Sequence, residues 1–214
     1  MLTVGVVGCG YWGPNLIRNF MNLQGADVRI CADISEKRLQ HMKGLYPSIE
    51  VTRDYMDIVK NPKIDAVVVS TPVSAHFEVA KAALDAGKHV FVEKPLTRTV
   101  EEGVTLVGIA EKKKQTLMVG HTFVFTAAVN KIKELIDSGE LGDIYYISTS
   151  RVNLGIFQDD INVVWDLAPH DISIMNFTLN SRPDSVSAIG HSYIRPGIEA
   201  VSYTHLTLPT KRIV

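Results

Sequence analysis

The sequence predicts an α/β chain: a doubly wound parallel sheet over residues 1–120, followed by an α+β domain over 121–200. Three observations point to this. The chain opens with a short apolar run, Leu2 to Val7, that breaks into Gly8-x-Gly10-x-x-Gly13 and then into a helical pattern. Apolar, β-branched runs then recur between helical stretches, the pattern of buried parallel strands joined by crossover helices. After His121 that alternation stops.

Taken in order, Asn15 to Leu23 reads as the first helix, with Pro14 in a first turn where a missing N–H costs little. Gly25-Ala26-Asp27 turns into the strand Val28–Asp33. Ser35 to Lys43 reads as a helix ended by Gly44, followed by a short strand at Ile49–Val51 and a small helix from Asp54 to Lys60. Ile64–Ser70 is apolar and β-branched, the mark of a strand buried on both faces. Thr71-Pro72 closes it, and Ser74 to Ala86 follows as a helix stopped at Gly87. Lys88–Val92 is the next strand. Thr99-x-x-Glu102 is a capping-box signature for a helix running to about Lys114, although Gly103 and Gly108 weaken it. Leu117–Gly120 is the last strand of the first part. Beyond it come a helix from Thr126 to Ser138, a long strand from Ile144 to Arg151, a helix from Ile172 to Leu179 and a strand from Asp184 to Gly190. Pro169 is expected to lie in the first turn of the helix that contains it.

Length and composition bound the class. A chain of 214 residues suits one large or two small domains, and 46 % hydrophobic residues suffice for a real core. A net charge of -1 gives no support for nucleic acid or an anionic membrane as partner. Cys9 and Cys31 form no C-x-x-C and read as reduced packing cysteines of a cytoplasmic protein. No signal peptide is expected before the strand at Leu2, and no apolar run approaches membrane-spanning length.

The glycine loop is a dinucleotide fingerprint in its proper setting of strand, turn and helix. Gly8 serves the tight turn, Gly10 lets a pyrophosphate approach the backbone, and Gly13 lets helix and strand pack closely. The helix N-terminus then faces the phosphates with free N–H groups. Asp33, at the end of the second strand, is placed to accept hydrogen bonds from the adenosine ribose and to repel a 2′-phosphate. That favours NAD over NADP, with Lys37 and Arg38 near enough to soften the preference; the alternative is that Asp33 caps the next helix. In such a sheet ligands belong at the strand C-termini, where Gly10, Asp33, Thr71, Glu93 and His121 fall. The expected cofactor contacts are Gly8, Gly10, Tyr11, Trp12, Gly13, Asp33, Thr71, Pro72, His76, Glu93 and Lys94. His76 and Trp12 are the weaker candidates: such a histidine is more often simply a polar first-turn residue, and Trp12 has packing against Pro14 as its alternative.

Lys94, in Glu93-Lys94-Pro95, would point into the ligand crevice, where a lysine can hold a substrate hydroxyl and share its proton; a plain surface lysine is the alternative. Asp166-x-x-x-His170 puts both side chains on one face if the segment is helical, with His170 as a general base and Asp166 orienting it or binding substrate. A capping aspartate beside a surface histidine is the bland alternative, and Asp171 competes as partner. Arg151 is a further substrate-binding candidate, or an ordinary edge arginine. No third ligand accompanies the Asp166–His170 pair, so no metal is expected.

Together, Gly8-Cys9-Gly10-Tyr11-Trp12-Gly13, Glu93-Lys94-Pro95 and Asp166-x-x-x-His170 resemble the Gfo/Idh/MocA oxidoreductases, over residues 1 to about 200. The resemblance implies an NAD(P)-binding Rossmann domain followed by a domain whose open sheet covers the nicotinamide and mediates homo-oligomer formation. It also implies catalytic roles for Lys94, Asp166 and His170. Tyr11–Leu16 and Trp165–Asp171 look most like members found with nucleotide-sugar and surface-polysaccharide synthesis, some of which oxidise the 3-hydroxyl of UDP-linked acetamido sugars. The implied function is NAD-dependent hydride transfer with a sugar or nucleotide sugar; a non-catalytic dinucleotide sensor is the alternative. Family members are longer, so the second domain is expected to be truncated. Ser202–Val214 resembles translated sequencing-adaptor read-through, so 201–214 is expected to be a non-native tail, with an edge strand over Tyr203–Leu208 as the alternative.

Overall fold

In the computed structural model, which describes residues 1–150, 161–192, 196–198 and 201–207, the N-terminal half of the chain is built on one parallel sheet. Its strands are β1 (Leu2–Val7), β2 (Ala26–Ala32), β3 (Glu50–Thr52), β4 (Ala66–Val69), β5 (His89–Val92) and β6 (Leu117–Val119). They lie in the order β3-β2-β1-β4-β5-β6, so the winding reverses between β1 and β4. Crossovers on either side of that point leave a crevice beyond the strand C-termini, where ligands bind in such sheets.

Five helices cover the two faces: α1 (Gly13–Asn22), α2 (Glu36–Leu45), α3 (Met56–Val59), α4 (His76–Asp85) and α5 (Val100–Lys113). Strand residues alternate between the faces, except that β2 slips by one residue between Val28 and Ile30, and both faces are buried, which is why the strands read as unbroken apolar runs. Val4, Val6, Val28 and Val68 pack with Ile17, Leu39 and Met42 of α1 and α2. Val7, Ile30, Val67, Val69 and Val92 pack on the other face with Ile58, Val79, Leu84 and Leu106 of α3, α4 and α5.

Local signals explain the helix ends. Pro14 occupies the first turn of α1. Thr99 caps α5, its Oγ1 accepting from Glu102 N at 3.2 Å, while the Glu102 carboxylate turns back to Arg98 N rather than to the cap. Gly103 has a packing reason, since a Cβ there would press on Thr97 Oγ1 at 3.3 Å. Gly44 does not end its helix: α2 runs through it to Leu45. One glycine costs a helix only about 1 kcal/mol, and the buried Leu39 and Met42 hold α2 to the sheet.

The chain divides into two units, Met1–Gly120 and His121–Val214. The second contains a 3₁₀ turn (Thr122–Phe125), α6 (Ala127–Asp137), α7 (Val163–Leu179), and an antiparallel pair, β7 (Ser185–His191) with β8 (Val201–Thr207). Two expectations are corrected here. Residues 144–150 form no strand, and Arg151 lies outside the described residues. A β run persists only where its N–H and C=O groups meet a neighbour, and among the described residues no strand pairs with 144–150. Nor does a helix begin at Pro169. The helix starts at Val163, capped by Asn162 Oδ1 accepting from Trp165 N at 3.0 Å, and Pro169 lies inside it. The capped turn upstream outweighs the one ladder rung that a proline removes.

Lys88, just before β5, is 9 % exposed and donates from Nζ to the carbonyls of Asn61 (2.8 Å) and Ile64 (2.6 Å). It stitches the loop entering β4 to the start of β5. Lys88→Met removes the donor from both carbonyls, and urea unfolding is expected to show a loss of about 2 kcal/mol. Loss of the exposed Lys81–Asp85 pair by Lys81→Ala should move the midpoint far less.

Candidate functional site

The turn after β1 is shaped by what it cannot hold. Gly8 has φ +97°, and a Cβ there would lie 2.6 Å from the Ser70 backbone. A Cβ on Gly13 would strike the Gly8 carbonyl oxygen. At Gly10 an added Cβ meets nothing nearer than the Arg38 guanidinium, at 3.8 Å. The loop is therefore pressed against β4 on one side and open on the other, with the N-terminus of α1 behind it. This cradle fits the pyrophosphate of a dinucleotide.

Two side chains fasten the loop. Ser70 Oγ donates to the Gly8 carbonyl at 2.7 Å. Asp33 Oδ2 accepts from Cys9 N at 2.7 Å, and Asp33 Oδ1 accepts from Ser35 N at 2.8 Å. One carboxylate thus joins the glycine turn to Ser35 at the start of α2, which places Asp33 beside the helix end as its capping alternative expected. Arg38 places Nη1 3.5 Å from Asp33 Oδ2. Neither the Ser70 contact nor the loop-holding role of Asp33 is marked in the sequence; a serine ending a β-branched strand beside a glycine turn is the only clue. Tyr11 and Trp12 stand edge-to-face at 5.6 Å and are exposed, Tyr11 by 79 %. Cys9 and Cys31 are buried and unbridged.

Further along the same sheet edge, Thr71 and Pro72 follow β4, and Glu93, Lys94 and Pro95 follow β5. Thr71 Oγ1 is buried with no hydrogen-bond partner among the described residues. Glu93 is 9 % exposed, its Oε2 accepts from Lys94 N at 3.2 Å, and its carboxylate lies 3.3 Å from where a Cβ on Gly120 would be. Burial raises its pKa above the ordinary glutamate value, against the opposing effects of the Lys94 N–H and ammonium. The Lys94–Pro95 peptide is cis. His76 opens α4 with its ring buried, Nδ1 2.8 Å from the Pro95 carbonyl oxygen and Nε2 3.0 Å from that of Thr71.

In the second unit Asp166 and His170 lie on α7 at i and i+4, so the continuous helix sets both on one face. The His170 ring meets Phe123 of the 3₁₀ turn edge-on, centroids 4.7 Å apart. Phe123 was not singled out by the sequence pattern, because an aromatic after a strand end reads as ordinary packing. His121 is half-buried in its surroundings, its Nδ1 has no partner among the described residues, and burial lowers its pKa. Among the described residues no group of three His, Cys, Asp or Glu side chains is arranged for a metal, and no helix is long and apolar enough to cross a membrane.

The family model described as an oxidoreductase family with an NAD-binding Rossmann fold matches residues 2–121. The model for the GFO/IDH/MocA C-terminal domain matches residues 129–213. The scyllo-inositol 2-dehydrogenase (NADP(+)) IolW of Bacillus subtilis is 32 % identical over 97 % of this chain and 59 % of its own length. The structure of the oxidoreductase yvaA from Bacillus subtilis superposes with TM-score 0.85 at 30 % identity, covering 96 % of this chain and 61 % of that one. Scyllo-inositol dehydrogenase from Lactobacillus casei, solved with NAD(H) and scyllo-inositol, shares the fold with TM-score 0.81 at 23 % identity, covering 98 % of this chain and 66 % of that one. The chain thus spans about three fifths of the length of the first two.

The buried Glu93 makes a pH-dependent contribution. A carboxyl whose pKa is higher folded than unfolded makes the folded state bind more protons, so stability falls as pH rises from the unfolded toward the folded value. Glu93→Gln keeps an acceptor for Lys94 N and removes the titration. Thermal unfolding across a pH series should show the variant gaining stability relative to wild type as pH rises through that interval, and a constant difference would contradict the assignment.

Proposed function

The chain belongs to the Gfo/Idh/MocA oxidoreductase family, and we propose that it carries the cofactor-binding and catalytic residues of a dehydrogenase acting on a secondary hydroxyl of a cyclic polyol, sugar or nucleotide sugar. What supports this most is the glycine cradle fastened by Asp33, with Lys94 presented along the same sheet edge. The bound dinucleotide supplies the hydride acceptor or donor at its nicotinamide. Lys94 donates a hydrogen bond to the reacting oxygen and supports its developing negative charge. His170 takes the hydroxyl proton, and Asp166, on the same face of α7, orients its ring. The relatives named as inositol dehydrogenases favour a cyclic polyol, whereas the sequence around Tyr11–Leu16 and Trp165–Asp171 favours a nucleotide sugar. Subunit association through the second-domain sheet belongs to the same proposal.

The cofactor is NAD in preference to NADP. A carboxylate at the adenosine end repels a 2′-phosphate, although Arg38 beside it offsets part of that repulsion. Fluorescence titration with both nucleotides should give tighter binding of NAD. Equal or tighter binding of NADP overturns the preference and gives Arg38 the larger share.

Assays of NADH formation with inositols, free hexoses and UDP-linked acetamido sugars test the reaction. Lys94→Ala and His170→Ala should each lower turnover by about 10²–10⁴-fold while NAD still binds. Retained turnover in either variant removes that residue from the chemistry. NAD binding with no turnover on any alcohol would favour a dinucleotide sensor instead.

A further inference from the structure

His76 is 1 % exposed, and both ring nitrogens lie at hydrogen-bond distance from backbone carbonyl oxygens: Nδ1 from that of Pro95 (2.8 Å), Nε2 from that of Thr71 (3.0 Å). Carbonyl oxygens only accept, so a ring nitrogen donates to the carbonyl it faces when it carries the proton: a neutral ring makes one of the two bonds, and an imidazolium makes both. The two carbonyls belong to neighbouring strand ends. The β4–β5 ladder runs in register to Val69↔Val92, and its last backbone bond is Glu93 N to Val69 O at 2.9 Å. Past that bond, among the described residues, no backbone hydrogen bond ties the Thr71-Pro72 turn to the Glu93-Lys94-Pro95 turn. His76 spans the gap from the first residue of α4, its two ring nitrogens facing the Thr71 and Pro95 carbonyls in opposite directions within one planar ring.

The ring therefore extends the sheet's tie by a rung where the ladder has ended, and Lys94 lies between its last backbone rung and the Pro95 carbonyl. We propose that His76 is a positioning residue for Lys94: it locks the turn that presents the lysine to the turn after β4, so that the ammonium is held at one height over the sheet edge. This rests on the reading of Lys94 as the group that binds the reacting oxygen. A misplacement of about 1 Å in such a group lowers turnover by about 10²-fold.

Three variants of the full chain separate positioning from mere packing. His76→Phe keeps the ring volume without a donor. His76→Asn keeps an N–H near the Nδ1 position, toward Pro95, and His76→Gln keeps one near the Nε2 position, toward Thr71. Hydrogen exchange read by mass spectrometry should rise by about tenfold or more for His76→Phe in peptides spanning 69–76 and 91–98, with the peptide spanning 6–14 unchanged. NAD affinity should stay within about threefold, while kcat falls by about 10²-fold. His76→Asn should recover more of kcat than His76→Gln, because it keeps the bond on the lysine side. The proposal is overturned if exchange at 91–98 is unchanged. It is equally overturned if exchange rises across the whole unit with kcat falling only in step with the folded fraction, or if Gln rescues as well as Asn. Should His76→Phe fail to fold, the Asn and Gln comparison decides. If Lys94→Ala is itself fully active, the role of Lys94 fails while the exchange data still judge the tie between the turns.

Discussion

A turn that must pass within contact distance of the neighbouring strand has no room for side chains, and the rest of this fold is arranged around that restriction. Gly8 lies against the Ser70 backbone and Gly13 against Gly8 itself. The turn can exist only where β1 and β4 are adjacent, which is the point at which the winding of the sheet reverses. The absence of a Cβ at Gly10 serves no packing purpose, since the space beside it is open. Its use is to leave backbone exposed to a ligand.

Polar side chains then hold the strand ends where the ladder no longer reaches. Asp33 ties the glycine loop to the start of α2, Ser70 ties it to β4, and His76 ties the turn after β4 to the turn after β5. All bond to backbone groups. A crevice at the ends of strands exposes main-chain N–H and C=O groups that a sheet would otherwise satisfy, and each left buried without a partner would cost about 1–3 kcal/mol. The same side chains that satisfy them fix the loops that present Gly10 and Lys94.

The parallel sheet was legible because its signals are local and redundant: β-branched runs buried on both faces, glycine after Val7, proline after Thr71, a threonine cap before α5. Asp33 and Lys94 were legible as positions at strand ends. What they touch was not, because the partners of Asp33 and His76 are backbone atoms contributed by distant segments, and backbone carries no letter in a sequence. Pro169 misled through its usual meaning, since the Asn162 cap had already set the helix in motion. Residues 144–150 misled because β propensity describes what a segment will accept, while pairing depends on a neighbour.

Calorimetric titration of NAD into the wild-type chain and into Gly10→Ala tests the cradle most directly. Position 10 has an ordinary backbone angle and open space around its added Cβ, so the variant should fold and melt as wild type does. The account predicts that it loses NAD affinity by about 10²-fold, because a methyl group then stands where the pyrophosphate must approach the backbone. An unchanged affinity in a correctly folded variant would place the dinucleotide elsewhere and contradict the account.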